Sequence, residues 1–511
     1  MKVLLPTLVV SAFLVPTSFA SAGGIEYPLA EFRTTDIVRN KLFLWASFSP
    51  SLGNGSSVER TPRDEFLWDG DSSSLEGNIQ VRGSRLVDRP RTIYDVELSA
   101  AYAPRFIDSH DSYTYEHAEN ESPRRNSRDT NSDGYYSSVS GSARHRDYIS
   151  GHWFREAGVS GRAAWSYTSI RQTRAGDPPD PMSHSGSETD SRDAQFAIPL
   201  RLGVGRIHEV SYARTALYIL DDLEDRGRLL RRPDRETIDD LANRLREVEN
   251  DRVFDSREHR IHEFREVATF LQERGLIGDV DVETYASIKD SWRYVSHPAR
   301  GSGLEASIGA TYTRADLGRN SKSTNEGVPI TLLDDVESIR SLAFDTRIVR
   351  QSPLSKILQL DQELEVLIRD ADSKSDTARL ISGDRKLWHE ERDGTSFEAA
   401  VAINATYYPT SRDSWELSLA GRHVATVSDE ESRGPDFDRR ASDVHRDSSR
   451  FEASTTWTRS LSLQTTLVVG YTFLHDSSRS SDEVIEDRPP TRTRISGDGH
   501  SIDLAYTYEI F

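Results

Sequence analysis

Residues 397–407 read Phe-Glu-Ala-Ala-Val-Ala-Ile-Asn-Ala-Thr-Tyr. Every second position, Phe397, Ala399, Val401, Ile403, Ala405 and Tyr407, is apolar or aromatic. In an extended chain alternate residues face opposite sides, so this stretch is a strand with one continuous greasy side. The pattern recurs in both directions from here. Upstream it gives Tyr94 to Tyr102, Val159 to Tyr167, Phe196 to Val204, Leu304 to Tyr312, Leu342 to Ile348 and Leu364 to Ile368. Downstream it gives Trp415 to Leu419, Phe451 to Trp457, Leu467 to Phe473 and Ile502 to Ile510.

The positions between are of another kind. They carry Asp95 and Glu97, Arg162, Arg201, Glu305, Arg347, then Asp361, Glu363, Glu365 and Arg369, then Glu416 and Arg422. A soluble sandwich also alternates. Three features favour a membrane barrel. The segments run about 9–12 residues, enough for a tilted strand to cross the hydrocarbon layer. Tyrosine and tryptophan gather at segment ends, as interfacial girdles require. The linkers also alternate between short and long. Short ones fall at Asp88–Pro90, Phe154–Gly158, Gln351–Ser355, Pro409–Asp413 and Arg459–Leu461; long polar ones fall at about 49–74, 104–141, 172–191, 315–336, 372–394, 428–449 and 477–498. Outer-membrane barrels keep short turns on the periplasmic side and long loops outside. The expected fold is an all-β transmembrane antiparallel β-barrel of 12–14 strands. The count is fourteen if 38–48 and the weak 142–153 segment are both strands, twelve if neither is.

On this architecture, over residues 38–511, the chain resembles bacterial outer-membrane β-barrel proteins of porin-like type. Such proteins usually end on an aromatic residue in phase with the last apolar row. Phe511 is present, but the row Ile502 to Ile510 runs one residue out of phase with it. TonB-dependent receptors, with more strands and a plug domain ahead of them, and autotransporters, with a large passenger, resemble it less well.

The amino terminus reads as an exported leader. Lys2 is followed by an apolar run to Phe19 and by Ala20-Ser21-Ala22, a small-residue cleavage site, so residues 1–22 form a signal peptide. The chain of 511 residues has a net charge of −19 and no cysteine. That balance argues against nucleic-acid binding, and the lack of thiols excludes disulfides and thiolate metal sites.

Between the barrel segments 38–204 and 301–511, the periodicity over 205–300 changes from two to about 3.6. Stripes run through Ala213 to Leu223, Ile238 to Val248 and Ile261 to Leu271, with Gly227 and Gly275 as stops, Asp234 as a cap, and a short fourth helix over Val282–Trp292. The expectation is a helical periplasmic insertion after about the fifth strand. It either braces the barrel mouth or docks a periplasmic protein or peptidoglycan.

Candidate chemistry is sparse. Asp129, Asn131 and Asp133, followed by Gly134, resemble the start of a calcium loop, but the twelfth position is Ser140 instead of a bidentate glutamate. His259 and His262 lie in His-Arg-Ile-His-Glu, which is not the zinc-protease order and reads as a solvated face. No nucleophile elbow, phosphate loop or dinucleotide fingerprint appears. The expectation is no enzyme, no cofactor beyond a calcium ion at that loop, and outer-membrane lipids and the barrel-assembly machinery as partners. The charged inner rows would line a pore for small solutes or ions. The alternative is a non-conducting structural or adhesion barrel whose insertion is its working part.

Overall fold

The computed structural model describes residues 25, 27–33, 37–60, 64–117, 124–176, 183–250, 256–295, 300–325, 328–381, 384–410, 412–435, 437–461, 465–484 and 491–508. The proposed signal peptide and Phe511 lie outside them.

Fourteen strands form one antiparallel sheet in strict sequence order. They are β1 (Ile37–Arg60), β2 (Asp64–Asp88), β3 (Thr92–His117), β4 (Arg124–Ser150), β5 (Trp153–Gly176), β6 (Ser183–Glu209), β7 (Gly301–Asn325), β8 (Val328–Ser355), β9 (Leu358–Ile381), β10 (Asp384–Tyr407), β11 (Asp413–Gly434), β12 (Phe437–Ser460), β13 (Thr465–Val484) and β14 (Thr491–Tyr508). The strand count is therefore the upper of the two expected values: 38–48 lies in β1, and 142–150 closes β4. Among the described residues β1 and β14 are the two outer strands of this order and are not paired with each other.

Exposure decides between sandwich and barrel. In a sandwich the greasy row would be buried between two sheets. Here there is one sheet, and Leu98, Leu202, Ile308 and Phe344 are each more than half exposed. The opposite face holds the buried polar groups, among them Arg146, Glu156, Ser307 and Asp345. Greasy outside and polar inside is the arrangement of a transmembrane β-barrel, in which lipid replaces water as the outer solvent.

Three expectations are corrected. The long polar segments are not loops. The strands run on through them, so that β3 pairs with β4 from Thr92↔Asp147 out to Tyr115↔Arg124. Beyond the membrane a hairpin needs no apolar face, so a polar composition there does not signal a loop. Two short turns are displaced. The β4–β5 turn is Gly151–His152, with Gly151 at φ 47°, and Phe154–Gly158 is strand; the β8–β9 turn is 356–357, and Gln351–Ser355 is strand. The helical insertion follows the sixth strand, not the fifth.

The insertion contains α1 (Ser211–Asp225), α2 (Arg235–Asn250), α3 (Ser256–Glu273) and α4 (Val282–Val295). Asp234 caps α2 by accepting from the Thr237 N–H at 2.9 Å, and Asp281 caps α4 through Thr284 N–H at 2.8 Å. Gly227 and Gly275 take φ of 66° and 61° just past α1 and α3. The apolar stripes meet in one core that includes Leu217, Leu220, Leu241, Leu245 and Leu271. The core also takes in Leu29 and Phe32 from a segment ahead of β1 that carries no periodic signal in the sequence.

Candidate functional site

The inner face near the short turns is built from charges brought together by register. Arg146 on β4 and Glu156 on β5 are cross-strand partners. The Arg146 guanidinium donates to Glu156 at 2.8 Å and grips both oxygens of Glu305 on β7, at 2.6 and 3.0 Å. Arg201 on β6 extends the chain, 3.5 Å from Glu156 and 3.2 Å from Asp345 on β8. Five charged side chains from five consecutive strands thus share one network. Arg146 also lies 4.0 Å over the ring of Phe154, which is itself buried.

This network needs thin spots in the wall. A Cβ on Gly309 would sit 2.7 Å from both Arg201 Cγ and Asp345 Oδ1, and one on Gly203 would collide with the Phe154 ring.

The same contacts measure curvature. Neighbouring strands lie about 4.8 Å apart, so β4 and β7 are separated by about 14 Å along the sheet and β2 and β6 by about 19 Å. Yet Arg146 bridges the first pair. Arg206 on β6 pairs with Asp88 at the end of β2 and donates to the carbonyls of Arg89 and Pro90 at 3.0 and 2.8 Å. Only a sheet curled with these residues on its concave side allows both.

Farther from the turns the inner wall opens. A cavity of about 420 Å³ is lined by Gln80, Arg82, Glu97, Ser99, Ser140, Ser160, Arg162 and Gln195. A second, of about 260 Å³, shares Arg162 and adds Ser191, Asp193 and Glu337. Charges along this wall are mostly matched: Arg82 with Glu97, Arg144 with Asp95 at 3.1 Å, Arg347 with Glu363 at 2.6 Å and Arg422 with Glu398 at 2.7 Å. Arg162 donates to the Tyr136 hydroxyl at 2.7 Å. Asp361 accepts from Gln359 at 2.6 Å. Glu365 pairs in register with Arg347 across β8–β9, Glu416 lies opposite Thr406, and Arg369 lies opposite Ala343.

At the short-turn end the insertion is tied to the wall. Lys356 in the β8–β9 turn pairs with Asp221 of α1, and Arg412 in the β10–β11 turn with Asp290 of α4 at 3.0 Å. The buried Arg300 gathers the β8–β9 turn by donating to the carbonyls of Ser355, Lys356 and Leu358 at 2.7–2.9 Å. The segment ahead of β1 straps the insertion down: Ile25 N–H donates to Asp221 at 2.9 Å, Arg235 pairs with Glu31 at 2.7 Å, and Ser302 donates to the Ala30 carbonyl at 3.2 Å. Burial and a hydrogen bond to Asp239 push the Tyr27 phenol above its ordinary range.

The structure places Arg201 and Glu305, both named above as inner-row charges, in one network through Arg146 and Glu156. Their partners Arg146 and Glu156 escaped sequence reading. Arg146 sits in the weakly alternating segment, and Glu156 in what reads as a turn. Asp129, Asn131 and Asp133 lie on β4 opposite His110, Asp108 and Phe106. In a strand they step along one face about 6.8 Å apart, so the wrapped loop of a calcium site is not formed.

No family model matches the chain, and no curated protein matches it. Solved structures to which it is similar include the outer membrane protease OmpT from Escherichia coli, at 10% identity over 41% of this chain and 83% of that one, TM-score 0.20. Another is the translocator domain of the autotransporter NalP from Neisseria meningitidis, at 8% identity over 76% and 87%, TM-score 0.23. A third is a FadL homologue from Pseudomonas aeruginosa, at 8% identity over 93% and 90%, TM-score 0.27.

Proposed function

We propose that the protein is an exported outer-membrane β-barrel that passes small hydrophilic solutes or ions along its inner wall, with the helical insertion seated at the periplasmic mouth. The observation that carries this reading is the polar, charge-matched inner face, which keeps open cavities in its middle while the opposite face is greasy and exposed. A water path needs the first feature and a lipid seal needs the second. Matched charges lower the field along the path, so strong selection for one sign of ion is not expected. The signal peptide at residues 1–22 supplies the export this location requires.

Planar-bilayer recording tests the reading. The intact chain should give small stepwise currents. Lys356→Ala with Arg412→Ala, which cuts the ties between the insertion and two turns, should raise open probability several-fold. Silence from both proteins, once inserted, would contradict it.

A second reading has one observation in its favour. Leu230 and Val282 of the insertion are 68% and 85% exposed, apolar surface that a periplasmic protein could cover. On that reading the barrel does not conduct, and the insertion is its working part.

A further inference from the structure

The outer face of the barrel carries a groove that differs from the rest of the greasy belt. It holds about 690 Å³ and crosses β4 to β9. Its lining takes Leu200, Leu202, Ile308, Phe344 and Ile368 from the outward rows, with Glu156, Arg201, Gly309 and Asp345 of the inward rows also bordering it. Between these large side chains the same outward rows carry the short ones of Ala157 and Ala310, which also line the groove. One end is not greasy at all. There His145, Asp147 and Arg155 line the same groove.

These three share the outward face. His145 lies opposite Tyr94, with which it stacks at 4.3 Å, and Tyr94 is exposed on the lipid side. Asp147 lies opposite Arg155, and the two pair at 3.0 Å. Asp147 is three residues from the end of β4 and Arg155 two from the start of β5, so the charged end sits within about 10 Å of the short turn. That is interfacial depth, where an aromatic ring such as Tyr94 also belongs.

We infer that this groove holds one glycerophospholipid with a zwitterionic, amine-bearing headgroup, drawn from the leaflet on the short-turn side. An acyl chain fills the apolar channel between Leu202 and Phe344. The lipid phosphate takes the Arg155 guanidinium and the His145 ring. The ammonium takes the Asp147 carboxylate. A zwitterion matches this trio because the Arg155–Asp147 pair is already neutral as a unit. A purely anionic headgroup leaves Asp147 facing a like charge, and an uncharged one leaves the pair without a new partner. The inference rests on the lipid-facing reading of the outer wall and adds a resident lipid to it.

The test is native mass spectrometry of the full chain released from nanodiscs, with phosphatidylethanolamine, phosphatidylglycerol and diacylglycerol of identical chains as probes. The wild type should retain phosphatidylethanolamine about tenfold better than either competitor. Arg155→Gln should abolish the headgroup preference. Ala310→Phe, which fills the floor from the outward face, should remove retention of all three. Equal retention of the three lipids by the wild type, or an unchanged preference in Arg155→Gln, overturns the groove assignment while leaving the membrane reading intact. Failure of the wild type to enter nanodiscs at all overturns both. Folding of each variant is checked independently by strand content in circular dichroism.

Discussion

Glu156 shows how much one side chain holds at the concave face. It is 5% exposed, and both Arg146 and Arg201 touch it. Glu156→Ala leaves two cations in a poorly solvated place with one partner fewer, which costs about 3–5 kcal/mol. Denaturant unfolding of vesicle-embedded protein measures this; a cost near zero would mean the network is bathed in water. Gly309→Val should destabilise comparably, because its side chain would enter the space between Arg201 and Asp345. Arg201 and Glu305 were legible because they alternate with strong apolar neighbours. Arg146 was not, since the outward residues beside it are His145 and Asp147, and alternation has little contrast there. Glu156 was hidden by Ala157-Gly158, which reads as turn punctuation but is a ladder segment beside Pro199.

Elements differ in how plainly the sequence announces them. The four helices stand where a 3.6-residue period runs, because each must bury a stripe against the others. The membrane portions of the strands were equally plain, because lipid demands an apolar row. Their polar continuations were not, since water sets no such demand, and strand pairing there rests on backbone bonds with polar cross-strand pairs such as Lys374–Glu391 and Thr189–Ser321 beside them. The strap over 27–33 gave no periodic signal; Leu29 and Phe32 enter the core, and Tyr27 packs against it partly buried. Helix caps give a pH prediction. Hydrogen bonds from Thr237 and Thr284 hold the Asp234 and Asp281 carboxyls below the ordinary carboxylate range. A depressed folded value means the stabilisation is present above the unfolded value, near pH 4, and is lost as pH falls through the folded value. Hydrogen exchange in 235–250 and 282–295 should therefore quicken below about pH 4, ahead of exchange in the strands. Asp281→Asn should remove the α4 part of that response. Exchange that is flat down to pH 2 would contradict it.

At the scale of the whole molecule, the greasy side of the sheet faces outward and its polar side faces inward. A sheet edge left open in lipid strands a row of backbone donors and acceptors, each costing several kcal/mol, so in a bilayer β1 and β14 must pair. Cysteines placed at Leu42, Leu44 or Ala46 and at Leu504 or Tyr506 should give one disulfide register in membranes and none in the unfolded chain. The absence of native cysteine makes the background clean. The same clean background permits site-by-site labelling of the lipid-facing row. Single spin labels are placed in turn at each position from 397 to 407 on β10, and collision rates are read with oxygen, which dissolves in lipid, and with a polar nickel complex, which stays in water. A lipid-facing row gives a two-residue oscillation in which 399, 401, 403 and 405 favour oxygen and 400, 402 and 404 favour nickel. An oscillation of opposite phase, or water access at both sets, would contradict it.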